Sequence, residues 1–133
     1  MTLTALLQAF RVAAVVAGAK VSPSLQQTEH RGVWVFVPEE NGDQEPVGAC
    51  GFSRDRVVVT LRQHMGAGNA GSASALDGAL EFESTLRTAL VRSASLVRCR
   101  PRFLRASRTL MSGQAEWLES VIEFDTFRDD VEQ

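Results

Sequence analysis

The chain has 133 residues, 44% apolar and 23% charged, with ten glycines, four prolines and two cysteines. That length and apolar fraction fit one globular domain with its own core, and they exclude a multidomain machine, a disordered tail, a collagenous chain and a disulfide-knotted miniprotein. The net charge of −2 excludes a protein that coats nucleic acid through bulk positive charge, while leaving room for a local basic patch.

The segment from Met1 to Ala19 contains no acid, and Ala17-Gly18-Ala19 looks like a signal-peptidase site. No basic residue precedes its apolar stretch, so it reads as part of the fold. Residues 10 to 17, FRVAAVVA, suit either a strand ending at Gly18 or the end of an Ala-rich helix that begins near Thr4. GVWVFVP, residues 32 to 38, is β-branched and aromatic between Gly32 and Pro38, which predicts a strand. Glu39 to Pro46 holds Asn41-Gly42 and four acids and reads as a hairpin loop. A return strand, Val47 to Phe52, then runs through Ser53 into a strand over Arg56 to Arg62, which makes the sheet antiparallel here.

Gly66 to Ser74 is rich in Gly, Ala and Ser and reads as a flexible loop. Leu76, Leu80, Phe82 or Glu83, Leu86 and Leu90 predict an amphipathic helix over 76 to 90, with acids early and bases late as the macrodipole prefers. In residues 95 to 110, Val97, Cys99, Pro101 and Phe103 alternate with Arg98, Arg100 and Arg102, which predicts a strand with one apolar face and one guanidinium ladder. Met111 to Gln114 is a turn. Residues 115 to 127 suit an amphipathic helix or a strand, and a hairpin with the arginine strand is favoured because it sets carboxylates beside guanidiniums.

Charge is strongly segregated: Ser84 to Ala115 carries seven arginines and no acid, whereas the chain from Glu116 onward carries seven acids against Arg128. Thirteen of the fourteen basic residues are Arg. A GC-rich genome would produce that bias, and so would a need for planar donors to phosphates or carboxylates. Cys50 and Cys99 are isolated, and His30 and His64 have no ligand or triad spacing. Gly66, Gly68 and Gly71 are not followed by Lys-Ser/Thr, and the pairs Glu39-Glu40 and Asp129-Asp130 read as solvated. No enzyme, no metal and no cofactor is therefore expected. No apolar run reaches the ~20 residues that span a bilayer, so no membrane partner is expected either.

The order of three strands, a flexible loop, a helix and two further strands is compatible with a single mainly β domain over residues 1–133, an OB-fold: a five-stranded Greek-key barrel with a helix between its third and fourth strands. Several pieces resemble the bacterial-type single-stranded-DNA-binding proteins. These are Val15-Val16-Ala17-Gly18 as a first-strand end, Arg56-Val57-Val58 as a third-strand core, Ser95-Leu96-Val97 as a strand start, the basic run Arg98 to Arg108, Gly113-Gln114, and the acidic Ser120 to Asp125. The chain departs from that family in having no Trp in Ser53-Arg54-Asp55 and no aromatic from Arg105 to Leu110. It also has Pro101 where the family has Gly, which points to a bulge or an edge, and it ends in DDVEQ.

These losses resemble more closely the small OB-fold interaction proteins of the trypanosomatid mitochondrial RNA-editing complex. That resemblance implies a non-catalytic subunit that binds single-stranded RNA or DNA and other OB-fold subunits as a homo- or hetero-oligomer, mitochondrial if it holds and otherwise cytoplasmic. Arg98, Arg100, Arg102, Arg105 and Arg108 would hold phosphates, and Trp34 and Phe36 would stack on bases. The competing readings pair the arginines with Glu116, Glu119, Glu123 and Asp125, and bury Trp34 and Phe36 in the core. The competing functions are an architectural interaction module without nucleic-acid binding, and a small α+β secretion-chaperone-like dimer with residues 3 to 19 and 115 to 131 helical.

Overall fold

Leu6, Leu7, Phe10, Ala13 and Ala14 recur at helical spacing, and they form the buried stripe of helix α1, Leu3–Val16. The structure, a computed structural model, describes residues 3–22, 33–37, 44–47, 52–65, 73–96, 99–111 and 117–129. The valine run of residues 12 to 16 is therefore helical, not the first strand that the single-strand-binding resemblance requires. Its β propensity loses to the apolar stripe packed on the core, and Val12, Val15 and Val16 face outward. The helix ends in a Schellman stop. The Ala19 amide donates to the Ala14 carbonyl and the Gly18 amide to the Val15 carbonyl, both at 3.0 Å, with Gly18 at φ +104.

The remaining elements are β1 (Lys20–Ser22), β2 (Val33–Phe36), β3 (Gln44–Val47), β4 (Phe52–His64), α2 (Ala73–Leu96), β5 (Cys99–Met111) and β6 (Trp117–Asp129). The strands form one mixed sheet in the order β1-β2-β4-β6-β5, with β3 paired to the other end of β4. β1 runs parallel to β2, and every other pairing is antiparallel. This is a mainly β, α+β fold. β1 and β5 stand at opposite ends of the order, so the described strands make an open sheet and not the closed Greek-key barrel.

Several boundaries differ from the sequence reading. Gln44 to Pro46, expected at the end of a hairpin loop, and Val47, expected to start a strand that continues through Phe52, instead pair antiparallel with Asp55–Phe52, so Val47 and Phe52 belong to two strands and not to one. Pro46 fits there because, among the described strands, β3 pairs with β4 alone. Asn41-Gly42, residues 112–116 and most of the loop expected over Gly66 to Ser74 lie outside the described residues, and the last two residues of that loop, Ala73 and Ser74, begin a helix instead. Helix α2 is longer than predicted at both ends, which leaves no acid in its first turn and no base in its last. Ser95 and Leu96 accordingly end a helix, where the resemblance had them start a strand. Residues 117–129 are a strand, as the hairpin reading required and against the chaperone-like alternative.

Both helices pack on the same face of the sheet. Their buried residues, Phe10 and Ala14 from α1 and Leu86, Leu90 and Ala94 from α2, meet Val35, Val57, Val59, Leu61, Ile122 and Phe124 from β2, β4 and β6. Phe10 and Phe124 have ring centroids 5.7 Å apart. The buried Gln63 amide donates to the Ala79 carbonyl at 2.8 Å and ties β4 to α2. Phe10→Ala should lower the free energy of unfolding by ~3–5 kcal/mol, whereas Val16→Ser, at a position 82% exposed, should change it by less than about 0.5 kcal/mol. Urea denaturation of the two variants measures both.

Candidate functional site

With both helices on one face, alternation along the strands sends every second side chain to the other. The register there can be followed as rows across the sheet. One row runs Lys20, Trp34, Arg62, Glu119, Thr109, and the next passes through Phe36, Thr60, Val121 and Ser107. Val58, Glu123 and Arg105 make a third row, and Arg56, Asp125 and Arg102 a fourth. His64 pairs with Trp117 at the end of β4, edge to face with centroids 5.1 Å apart. Five described cations and three carboxylates thus share a face whose middle is aromatic and aliphatic.

Trp34 and Phe36 lie on this helix-free face, not in the core beneath the helices, which Val35 and Val37 join instead. Their rings are nearly parallel, with centroids 6.4 Å apart and planes 16° from coincident. Lys20 Nζ stands 5.5 Å from the Trp34 ring centre and the Arg62 guanidinium carbon 5.8 Å from that of Phe36. Both are cation–π contacts. Trp34 is half-buried, but Phe36 is only 5% exposed and offers almost no free ring surface.

Arg62 also donates through Nε to Glu119 Oε2 at 2.7 Å, with both side chains about four-fifths buried. A single guanidinium in β4 therefore links an aromatic ring of β2 to a carboxylate of β6. Arg105 on β5 pairs with Glu123 on β6. The bond from Arg105, followed by burial acting the other way and then the charges of Arg105 and Arg56, holds the Glu123 carboxyl below its usual range on balance. Asp125, 2% exposed, is in register with Arg56 on one side and Arg102 on the other.

The five arginines expected to form one phosphate track are not on one surface. Arg102 and Arg105 lie on the helix-free face. Arg108 lies on the opposite one, because the register shifts by one residue between Phe103 and Arg105. The expected irregularity is thus in β5, an edge strand carrying Pro101, but it falls after that proline. Arg108 reaches Glu83 of α2, its Nε lying 3.0 and 3.1 Å from the two carboxylate oxygens, and its Nη2 also bonds to Oε2. Arg98 lies outside the described residues, as does the side chain of Arg100.

Glu83 is the buried charge of the helix side, with its side chain 3% exposed. Burial pushes its carboxyl up, but the bonds from Arg108 and the charges of Arg108 and Arg87 outweigh this and leave it below its usual range. The Ser120 hydroxyl, buried without a partner of good hydrogen-bond geometry, adds to that stabilisation. Trp34 and Phe36 share a face with Arg102 and Arg105, yet β2 and β5 are three strand spacings apart, roughly 14 Å. The sequence reading missed Lys20, Arg56 and Arg62 as members of this face. The period-two pattern of RVVVTLRQH, with Arg56, Val58, Thr60, Arg62 and His64 on one side, carries that signal.

Among the described residues no group of three or more His, Cys, Asp or Glu is placed to hold a metal ion. No described helix is long and apolar enough to cross a membrane. Comparison with known proteins finds no matching family model and no matching curated relative.

Arg108→Ala leaves Glu83 buried beside Arg87 alone. It should cost ~2 kcal/mol, less than a fully buried pair because Arg108 is 42% exposed, and chemical denaturation at neutral pH measures it. The depressed folded-state value of Glu83 means that an unfolded chain takes up the proton first as pH falls. Its contribution is therefore fully present above the ordinary value of 4.5 and is lost as pH drops through the lower folded value. Glu83→Gln should flatten the acid limb of a plot of unfolding free energy against pH, and an unchanged limb would show that other carboxylates set it.

Proposed function

We propose that this chain is a non-catalytic interaction module that docks a protein partner through its helix-free sheet face. The observation that carries the reading is the neutralisation of that face within its own plane: Arg62 is paired with Glu119 and Arg105 with Glu123 around the half-buried Val58, Thr60 and Val121. A surface with both signs interleaved around an apolar middle complements another protein surface, on which charges also alternate. A polyanion calls for unpaired cations along a track.

A single-stranded nucleic-acid site is the second reading. It rests on the Trp34–Phe36 pair with Lys20 and Arg62 over the rings, together with the exposed Arg56 and Arg102. OB-fold kinship is a finer proposal of the same kind. Strand content and aromatic placement favour it, and the open strand order offers it no support. Assignment to a mitochondrial RNA-editing assembly follows from that kinship alone.

Both tryptophans of the chain lie on the face in question, so intrinsic fluorescence reports on it directly. Oligo-U and oligo-dT titrated across a salt series should leave the emission unchanged and show no binding tighter than about 100 μM, the weak end of the non-specific range. Micromolar binding that quenches tryptophan, with a salt slope of roughly 0.7 per phosphate contact, would replace the protein-docking reading with the nucleic-acid one.

A further inference from the structure

We propose that the outer edge of β5 accepts an extended, acidic segment of a partner protein as an added strand. β5 closes one end of the sheet. It is thirteen residues long, its inner edge is paired with β6, and no described strand lies on its outer edge. An unpaired edge presents backbone donors and acceptors that a passing strand can use. From Arg102 to Leu110 every residue is exposed except the half-buried Leu104 and Ala106.

Side-chain chemistry selects the occupant. Arg102 and Arg105, on the helix-free side of the strand, are exposed, and Arg105 keeps 69% of its side chain accessible even while paired with Glu123, whereas Arg108 is on the helix side and is held by Glu83. On the helix side, Phe103 and Leu110 remain 37% and 47% exposed, and Phe103 lies under the Arg87 guanidinium at 4.1 Å. The edge therefore asks for carboxylates on one side of an incoming strand and apolar residues on the other. β6 already meets the inner edge in that way: Glu123 and Asp125 stand opposite Arg105 and Arg102, while Ile122 and Phe124 stand opposite Ala106 and Phe103.

A second copy of β5 is a poor occupant. Antiparallel self-pairing would bring arginines against arginines, and like charges directly opposite are destabilising. Arg102 and Arg105 belong to the helix-free face as well, but the backbone of the outer edge does not, so the proline comparison below tests the edge alone and either proposal can fail without the other.

The test is fluorescence anisotropy of the full chain with a labelled nine-residue peptide alternating Val and Glu. Three comparisons accompany it: the same peptide with Lys for Glu, the Glu peptide with its central Val replaced by Pro, and a labelled oligo-U. The Glu peptide should bind, and the Lys and Pro peptides should bind at least about tenfold more weakly, the scale of one charged hydrogen bond. Arg102→Glu should weaken the Glu peptide by a similar factor. Arg92→Glu, the same charge change at an exposed site on α2, should leave it unchanged. No binding of the Glu peptide, equal binding of the Pro peptide, equal loss in Arg92→Glu, or oligo-U binding more tightly than the Glu peptide would each overturn the proposal. The peptide comparisons need only the unaltered chain, so they decide the matter even if Arg102→Glu does not fold.

Discussion

β4 and β6 are each thirteen residues long and pair along their whole length, from Phe52 opposite Asp129 to His64 opposite Trp117. The rest of the molecule is sorted by that pairing. Alternate residues go to opposite faces, so Val57, Val59 and Leu61 join Ile122 and Phe124 beneath the helices, while Arg56, Arg62, Glu119, Glu123 and Asp125 go to the other side. A slip of one residue along either strand would turn Arg62 or Glu119 into the helix layer. Burial of the apolar set thereby fixes the ionic set, and the pairing of Arg62 with Glu119 is a consequence of the core as much as of its own attraction.

The same reasoning explains the irregularity in β5. Uninterrupted alternation would put Arg102 and Arg108 on one face and Arg105 on the other. The register shift after Phe103 exchanges the last two, so that Arg105 meets Glu123 on the open face and Arg108 meets Glu83 beneath α2. Without the shift, the buried Glu83 would lose its guanidinium and Glu123 its partner. One additional residue in an edge strand therefore satisfies two carboxylates on opposite sides of the sheet, and it does so where an edge most readily bends.

Much of this was legible in the sequence wherever a single periodicity governed a segment. β2, most of β4 and the middle of α2 follow from β-branched runs and helical spacing. The β5–β6 hairpin follows from charge, since an arginine strand beside an acidic one is a pairing instruction. The valines of α1 were ambiguous because their propensity pointed outward to nothing: Leu6, Leu7 and Phe10 decide the element, and their weight comes from α2 and β6, which are distant in sequence. Asn41-Gly42 and the four acids around it disguised β3, because they are turn and solvent signals that carry no trace of the pairing with β4. The faces chosen by Arg105 and Arg108 could not be read, because a one-residue shift inverts them and Pro101, which pointed to a bulge or an edge, does not fix the residue after which the shift falls.

The charge distribution then acquires a structural meaning that net charge conceals. The acidic half of the chain is not a free tail seeking a basic partner, for much of it is β6, and its carboxylates face arginines of β4 and β5 within the sheet. The compensation is uneven: Glu123 and Glu83 hold Arg105 and Arg108 on the two faces, while the backbone along the outer side of β5 has no described partner. Positive charge, backbone without a described partner and exposed apolar side chains coincide along that edge. A phosphate chain could use the first of these and an apolar surface the third, but only an extended acidic polypeptide uses all three.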